Sequence, residues 1–148
     1  TKKPRGYIVT THLKVVTVPE NPFTWVREVD DPLLCLDDEI PCPRRNKTSG
    51  DLDMYCCRGY CMDLLNALAS ELNFTYNLYQ VEDGLYGSFD YVNGSEKKIW
   101  TGMVGELVYE RADMVVAPLT INPESSQAIE FSKPFKYQGI TILEKKHP

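Results

Sequence analysis

The stretch "APLTINPESSQ", Ala117 to Gln127, holds the residues whose types and spacing could do chemistry. An apolar run, "MVVAPL", breaks into Thr-Ile-Asn-Pro-Glu-Ser-Ser. This pattern predicts a buried strand that stops there and a helix that starts, with Asn122 suited to the N-cap and Pro123 to the first helical position. Such a junction turns backbone N–H groups outward, where small anions bind. Thr120 can offer a hydroxyl and an N–H. Pro118 has no N–H and can offer only a carbonyl, which suits an ammonium group. A zwitterion fits that pair. The bland alternative is an ordinary strand-to-helix turn with a satisfied cap. Tyr86, flanked by glycine in "DGLYGS", could wall a pocket or simply pack.

Other chemistry is poorly represented. The sequence has no G-x-S-x-G, P-loop or H-E-x-x-H pattern, and its two histidines, His12 and His147, lie near the ends. Glu106, Glu110 and Asp113 read as the polar face of a helix rather than as paired catalytic carboxylates. No enzyme, metal or cofactor is expected. The net charge is -5 and the basic residues are scattered in short clusters, which argues against nucleic acid as a partner.

The five cysteines are Cys35, Cys42, Cys56, Cys57 and Cys61. Cys56 and Cys57 are neighbours and seldom bond to each other, so each needs a distant partner; Cys35 and Cys42 are available. Cys61 is left over, a thiol buried on a helix. Zinc is the rival, but its usual pattern is two separated Cys/His pairs. Three N-x-[ST] sequons begin at Asn46, Asn73 and Asn93. Cysteine pairs and sequons together favour an extracellular chain.

The elements that must position these residues follow from periodicity. With 148 residues, 43% hydrophobic and 25% charged, the chain suits one globular domain. No run of eighteen apolar residues occurs. "HLKVVTV" (His12–Val18) predicts the first core strand, and "TWVREV" (Thr24–Val29) a short one. The polar stretch Asp30–Tyr55 is long for a loop and needs tying down. "YCMDLLNALASELN" predicts an amphipathic helix with Met62, Leu65, Leu68, Ala69 and Leu72 on one face. "FTYNLYQV" follows as a strand, making a strand–loop–helix–strand unit of an α/β sheet. "EDGLYGSFDYVNGSEKK" reads as a turn and projecting loop. "WTGMVGELVYERA" reads as a helix, and "DMVVAPL", "AIEFS" and "GITIL" as short strands. The opening without Met and the end at "EKKHP" lead to the expectation that the chain is an excerpt.

"CCRGYCMDLL", "FTYNLY", "DGLYG", "WTGMVGEL", "ADMVVAPLTIN" and "IEFSKPFKYQGITIL", in this order, resemble the ligand-binding domain of NMDA-type ionotropic glutamate receptors. "ADMVVAPLTIN" and "EFSKPFKYQG" are most like the glycine-binding type of subunit. The resemblance covers His12 to Lys146. It implies an α/β, periplasmic-binding-protein-like clamshell whose two lobes close on an amino acid and open a cation channel, with this chain forming mostly the first lobe. Residues 1–11 would be a linker from an upstream domain, 12–146 the first segment of the ligand-binding domain with a disulfide-tied loop at 30–57, and 147–148 the start of a linker to the pore. The implied setting is the extracellular part of a postsynaptic plasma-membrane receptor, anchored through pore helices outside this chain. The implied partners are a small amino-acid ligand, the second segment of the same clamshell and other subunits of a heteromer.

The resemblance also implies roles for single residues. It pairs Cys35 with Cys56 and Cys42 with Cys57. It sets Tyr86 against the ligand, the Pro118 carbonyl on its ammonium and Thr120 on its carboxylate. The family then has an arginine that grips the carboxylate, and here Ser125 stands in that position. A hydroxyl does not replace a bidentate guanidinium, and Glu124 beside it disfavours an anion. Two alternatives therefore stand beside a working glycine site: a receptor-like subunit that has lost standard amino-acid binding, and a free solute-binding protein.

Overall fold

The computed structural model describes residues 11–94 and 96–118, together with the backbone of strands 129–131 and 140–145. In chain order the strands are β1 (Thr11–Thr17), β2 (Trp25–Glu28), β3 (Ile40–Pro41), β4 (Arg44–Arg45), β5 (Leu52–Asp53) and β6 (Tyr55–Arg58), followed by helix α1 (Tyr60–Leu72). Then come β7 (Phe74–Gln80), β8 (Phe89–Tyr91), β9 (Lys98–Trp100), helix α2 (Gly102–Val108), β10 (Met114–Pro118), β11 (Ile129–Phe131) and β12 (Ile140–Lys145).

The main sheet runs β11-β12-β10-β1-β7-β4-β5. Its centre is parallel: β1 pairs with β7 from Thr11↔Phe74 to Thr17↔Gln80, and with β10 at Val15↔Met114 and Val16↔Val115. β12 closes on β10 antiparallel, from Met114↔Glu144 to Pro118↔Ile140. The α/β class expected from the pattern is the class observed.

The core lies on both faces of this sheet, as the period of two requires. Val15 on β1, with Met114 and Val116 on β10, packs against Cys61, Met62, Leu64 and Leu65 of α1. Their neighbours Val16, Val115 and Ala117 face the other way and pack against Met103, Val104 and Leu107 of α2. Continuous apolar runs in β1 and β10 are the signature of strands buried on both faces. Thr17, fully buried at the end of β1, donates its hydroxyl to the Val116 carbonyl at 2.7 Å.

Helix α1 ends one residue short of the expected boundary. Asn73 adopts the left-handed conformation and its N–H bonds to the Ala69 carbonyl, turning the chain into β7. Leu72, expected on the buried face, is 64% exposed in that last turn. The segment after β7 departs further from expectation. What reads as a loop contains the β8–β9 hairpin, and Trp100, expected at the start of a helix, closes β9. Three-residue strands are too short to show periodicity; Phe89 packing on Trp100 at 5.1 Å holds them together. The stretch 30–57 contains β3, β4 and β5, with β3 and β2 flanking β6 in a separate three-stranded sheet. Among the described residues no helix is long and apolar enough to cross a membrane.

Candidate functional site

The parallel strands β1, β7 and β10 end along one edge, at Thr17, Gln80 and Pro118. Ligands of open α/β sheets sit outside such carboxyl ends. The edge is stitched together below its surface. The Val81 N–H bonds to the Thr17 carbonyl at 3.0 Å. Gln80, buried, donates Nε2 to the Cys42 carbonyl at 2.8 Å and so anchors the edge to the disulfide-tied region.

Tyr86 reaches this edge on a loop that α2 holds tightly. The Met103 and Val104 N–H groups, at the start of α2, bond to the carbonyls of Leu85 (3.1 Å) and Tyr86 (3.0 Å). The helix is thus capped by the loop's own backbone rather than by a side chain of its N-cap residue, Thr101. Asp83 completes the lock: Oδ1 accepts from the Leu85 N–H at 3.0 Å and Oδ2 from the Gly102 N–H at 2.9 Å. Two glycines make the close approach possible. Gly102 has φ +66, and a Cβ there would lie 2.6 Å from the Gly87 nitrogen; a Cβ on Gly87 (φ +139) would lie 2.7 Å from the Thr101 carbonyl oxygen. The Tyr86 ring packs on the cluster that contains Val104, Val115 and Ala117. Its hydroxyl is buried without a hydrogen-bond partner among the described residues.

Pro118 is half-buried at the end of β10, one residue beyond the fully buried Ala117. Tyr86 and Ala117, the residue before Pro118, therefore belong to one packed cluster. Thr120, Ser125 and the expected cap at Asn122 and Pro123 lie outside the described residues.

The acidic residues near α2 are all engaged. Glu106 accepts from the Tyr79 hydroxyl at 2.9 Å and from Arg111 Nε. Asp113 accepts from the Lys14 N–H at 2.8 Å. Only Glu106 sits on the helix: Glu110 follows it with φ 61, and Asp113 precedes β10. The expectation of one polar helix face over Glu106, Glu110 and Asp113 is corrected accordingly. Burial and the Glu106 carboxylate push the Tyr79 phenol up, so it stays protonated. Arg111, the nearest cation before the junction in sequence, is bound to Glu106 and stacked 5.1 Å from the Tyr109 ring centre. An open cleft of about 600 Å³ between this region and Arg45 and Lys47 includes neither Tyr86 nor Pro118.

Cys35 is bonded to Cys56 and Cys42 to Cys57, with Cα atoms 5.5 Å and 5.9 Å apart. Four of the five cysteines are thereby consumed, which removes the thiolates a zinc site would need. Cys61 is free and buried, and burial pushes its thiol up to about 11. Inside the tied loop Glu39 binds Arg27 and the Leu36 N–H. Sequon residues Asn46, Asn73 and Asn93 are all exposed. Asn46 also shapes its own turn, accepting from the Thr48 N–H at 2.8 Å.

Residues 11–148 match the family model described as ligated ion channel L-glutamate- and glycine-binding site. The chain is 57% identical over 150 aligned positions to glutamate (NMDA) receptor subunit 1 of Drosophila persimilis. It is 56% identical to the same-named subunit of Drosophila pseudoobscura pseudoobscura and 55% to that of Drosophila grimshawi. Each alignment covers 98% of this chain and 15% of the relative. The chain thus spans about 15% of the length of the curated relatives it matches.

Proposed function

Because this chain belongs to the ligated ion channel L-glutamate- and glycine-binding family, we propose that it is the first-lobe segment of an extracellular, amino-acid-binding clamshell in a ligand-gated cation channel, with glycine or a related small amino acid as its ligand. The observation that carries this reading is the packing of Tyr86 on the buried cluster that also holds Ala117, the residue before Pro118 at the edge where β1, β7 and β10 finish. The ligand's ammonium group is held by the Pro118 carbonyl and its carboxylate by Thr120, with the Tyr86 ring against its body. A second lobe completes the site. Ligand that binds the closed clamshell better than the open one shifts the population toward closure, and closure opens the channel. Disulfides and exposed sequons fit the extracellular setting, in which Asn46, Asn73 and Asn93 carry glycans. The subunit works in a heteromer.

A second reading is favoured by one specific observation. Ser125 stands where the family's carboxylate-binding arginine is expected, and Arg111 is already committed to Glu106. On this reading the subunit does not bind standard amino acids and serves as a partner in the heteromer. Calorimetry of glycine, D-serine and glutamate against the complete clamshell decides between the two. Micromolar or tighter glycine binding supports the first; no heat for any of the three refutes it.

A further inference from the structure

We infer that the open cleft of about 600 Å³ beside Tyr79, Glu106 and Arg111 is a second small-molecule site, apart from the edge that carries Tyr86 and Pro118, and that it takes an organic monocarboxylate with an aromatic body. The volume lies in the ordinary range for ligand pockets, about 300–1,000 Å³. Separate parts of the fold build it. Arg45 on β4, Lys47 in the following turn and Leu52 on β5 line it from the disulfide-tied region. Trp100 at the end of β9 and Glu106 on α2 line it from elsewhere in the chain. An occupant that touches Arg45 and Trp100 therefore bridges the disulfide-tied region to the start of α2.

The ligand class follows from which charges are already spent. Asp83 accepts from the Leu85 and Gly102 N–H groups, one oxygen for each. Glu106 accepts from the Tyr79 hydroxyl and, through its other oxygen, from Arg111 Nε. Tyr79 stays a neutral phenol. Asp83, Glu106 and Arg111 thus hold the protein's own groups. Arg45 and Lys47 differ. Arg45 donates Nη1 to the Gly50 carbonyl at 2.7 Å, which fixes its guanidinium. Neither Arg45 nor Lys47 forms an ion pair among the described residues. Glu82 is the remaining carboxylate of the cleft; it is exposed, and only its carbonyl is engaged, by Arg44 Nη2 at 2.9 Å. Two cations against one carboxylate leave one positive charge, which a monoanion balances and a dianion or a cation does not. A carboxylate matches the planar edge of a guanidinium with two parallel hydrogen bonds. Trp100, partly buried, and Leu52, half exposed, supply apolar surface for the body, and an indole favours a stacked ring.

The test uses the complete receptor chain and a photoreactive probe, 4-benzoylbenzoate, with peptide mapping by mass spectrometry after irradiation. Saturable labelling is expected on peptides that contain Leu52 or Trp100, and excess glycine should leave it unchanged. 4-Benzoylbenzamide, with the same body and no charge, should need about tenfold more to reach half-saturation. Arg45→Ala/Lys47→Ala should weaken the carboxylate about tenfold, the scale of two solvent-screened ion pairs, and Glu82→Gln should strengthen it about twofold. All three side chains are exposed, so the melting temperature should stay at the wild-type value. Equal labelling by amide and carboxylate overturns the inference. So does labelling that glycine displaces, that the double variant leaves unchanged, or that maps away from both peptides. The inference does not rest on glycine binding: a receptor that binds no glycine and is labelled in the expected pattern refutes the proposed function and supports the second site.

Discussion

Arg27 and Glu39 meet in a two-pronged ion pair, Nη2 to Oε1 at 2.7 Å and Nε to Oε2 at 3.2 Å. Arg27 lies on β2 and Glu39 in the loop between Cys35 and Cys42, so the pair ties that loop to the small sheet. The Arg27 hydrogen bond, then the Leu36 N–H, hold the Glu39 carboxyl below the ordinary carboxylate range. The sign follows from linkage. A carboxyl with a lowered folded pKa binds fewer protons in the native state than in the unfolded one. Its stabilisation is present above the unfolded value, about 4.3, and is lost as pH falls through the folded one. Wild type should therefore lose stability on acidification through that window, and Glu39→Gln should lose less. At neutral pH Glu39→Gln should cost about 1 kcal/mol, at the low end because Arg27 is half exposed and water screens the pair. Urea denaturation at several pH values, with both proteins compared, checks both statements.

Reduction should lower the melting temperature substantially. Cys35–Cys56 and Cys42–Cys57 span sequence separations of 21 and 15. Loops of this size correspond to about 3 kcal/mol each through restriction of the unfolded chain. Calorimetry with and without reductant measures it; an unchanged melting temperature after verified reduction refutes the assignment.

Cys61 should be silent toward alkylation in the native protein. Burial pushes its thiol up to about 11, so almost no thiolate exists at neutral pH, and the side chain is fully buried. Mass spectrometry after iodoacetamide should show no adduct under native conditions. Denaturation without reductant should then give one adduct.

Tyr79 should remain a phenol when exposed tyrosines ionise, because burial and Glu106 both oppose its anion. Tyr79→Phe should cost about 1 kcal/mol, since Glu106 keeps Arg111 as a partner. Ultraviolet titration should lose no ionisation step below pH ~11 in Tyr79→Phe relative to wild type, given an ordinary tyrosine value of about 10.

Ser125→Arg should strengthen glycine binding in the complete clamshell by about 2–5 kcal/mol, the range for a buried charge pair in a closed site. Calorimetry of the variant beside wild type checks this. No gain would refute the assignment of Ser125 to the arginine position.

Much of this chain is legible without coordinates. The apolar runs of β1 and β10, the helical spacing from Met62 to Ala69, and the alternation in β7 each follow from one local period, and the structure repeats them within a residue or two. The neighbouring cysteines and the end of a strand at Pro118 are likewise visible as residue types. The cysteine pairing and the role proposed for Tyr86 come from resemblance to a family, because spacing does not choose partners across space. The β8–β9 hairpin and the exposure of Leu72 were hidden, the first in strands of three residues and the second at a helix end. Only the fold decided that Asp83 serves Leu85 and Gly102 together, that Arg111 is spent on Glu106, and that Tyr86 shares a cluster with Ala117. The reason is physical. Local order is set by neighbours a few residues away, which the sequence displays directly. A hydrogen bond or packed contact between distant residues exists only once the sheet and helices α1 and α2 have brought them together.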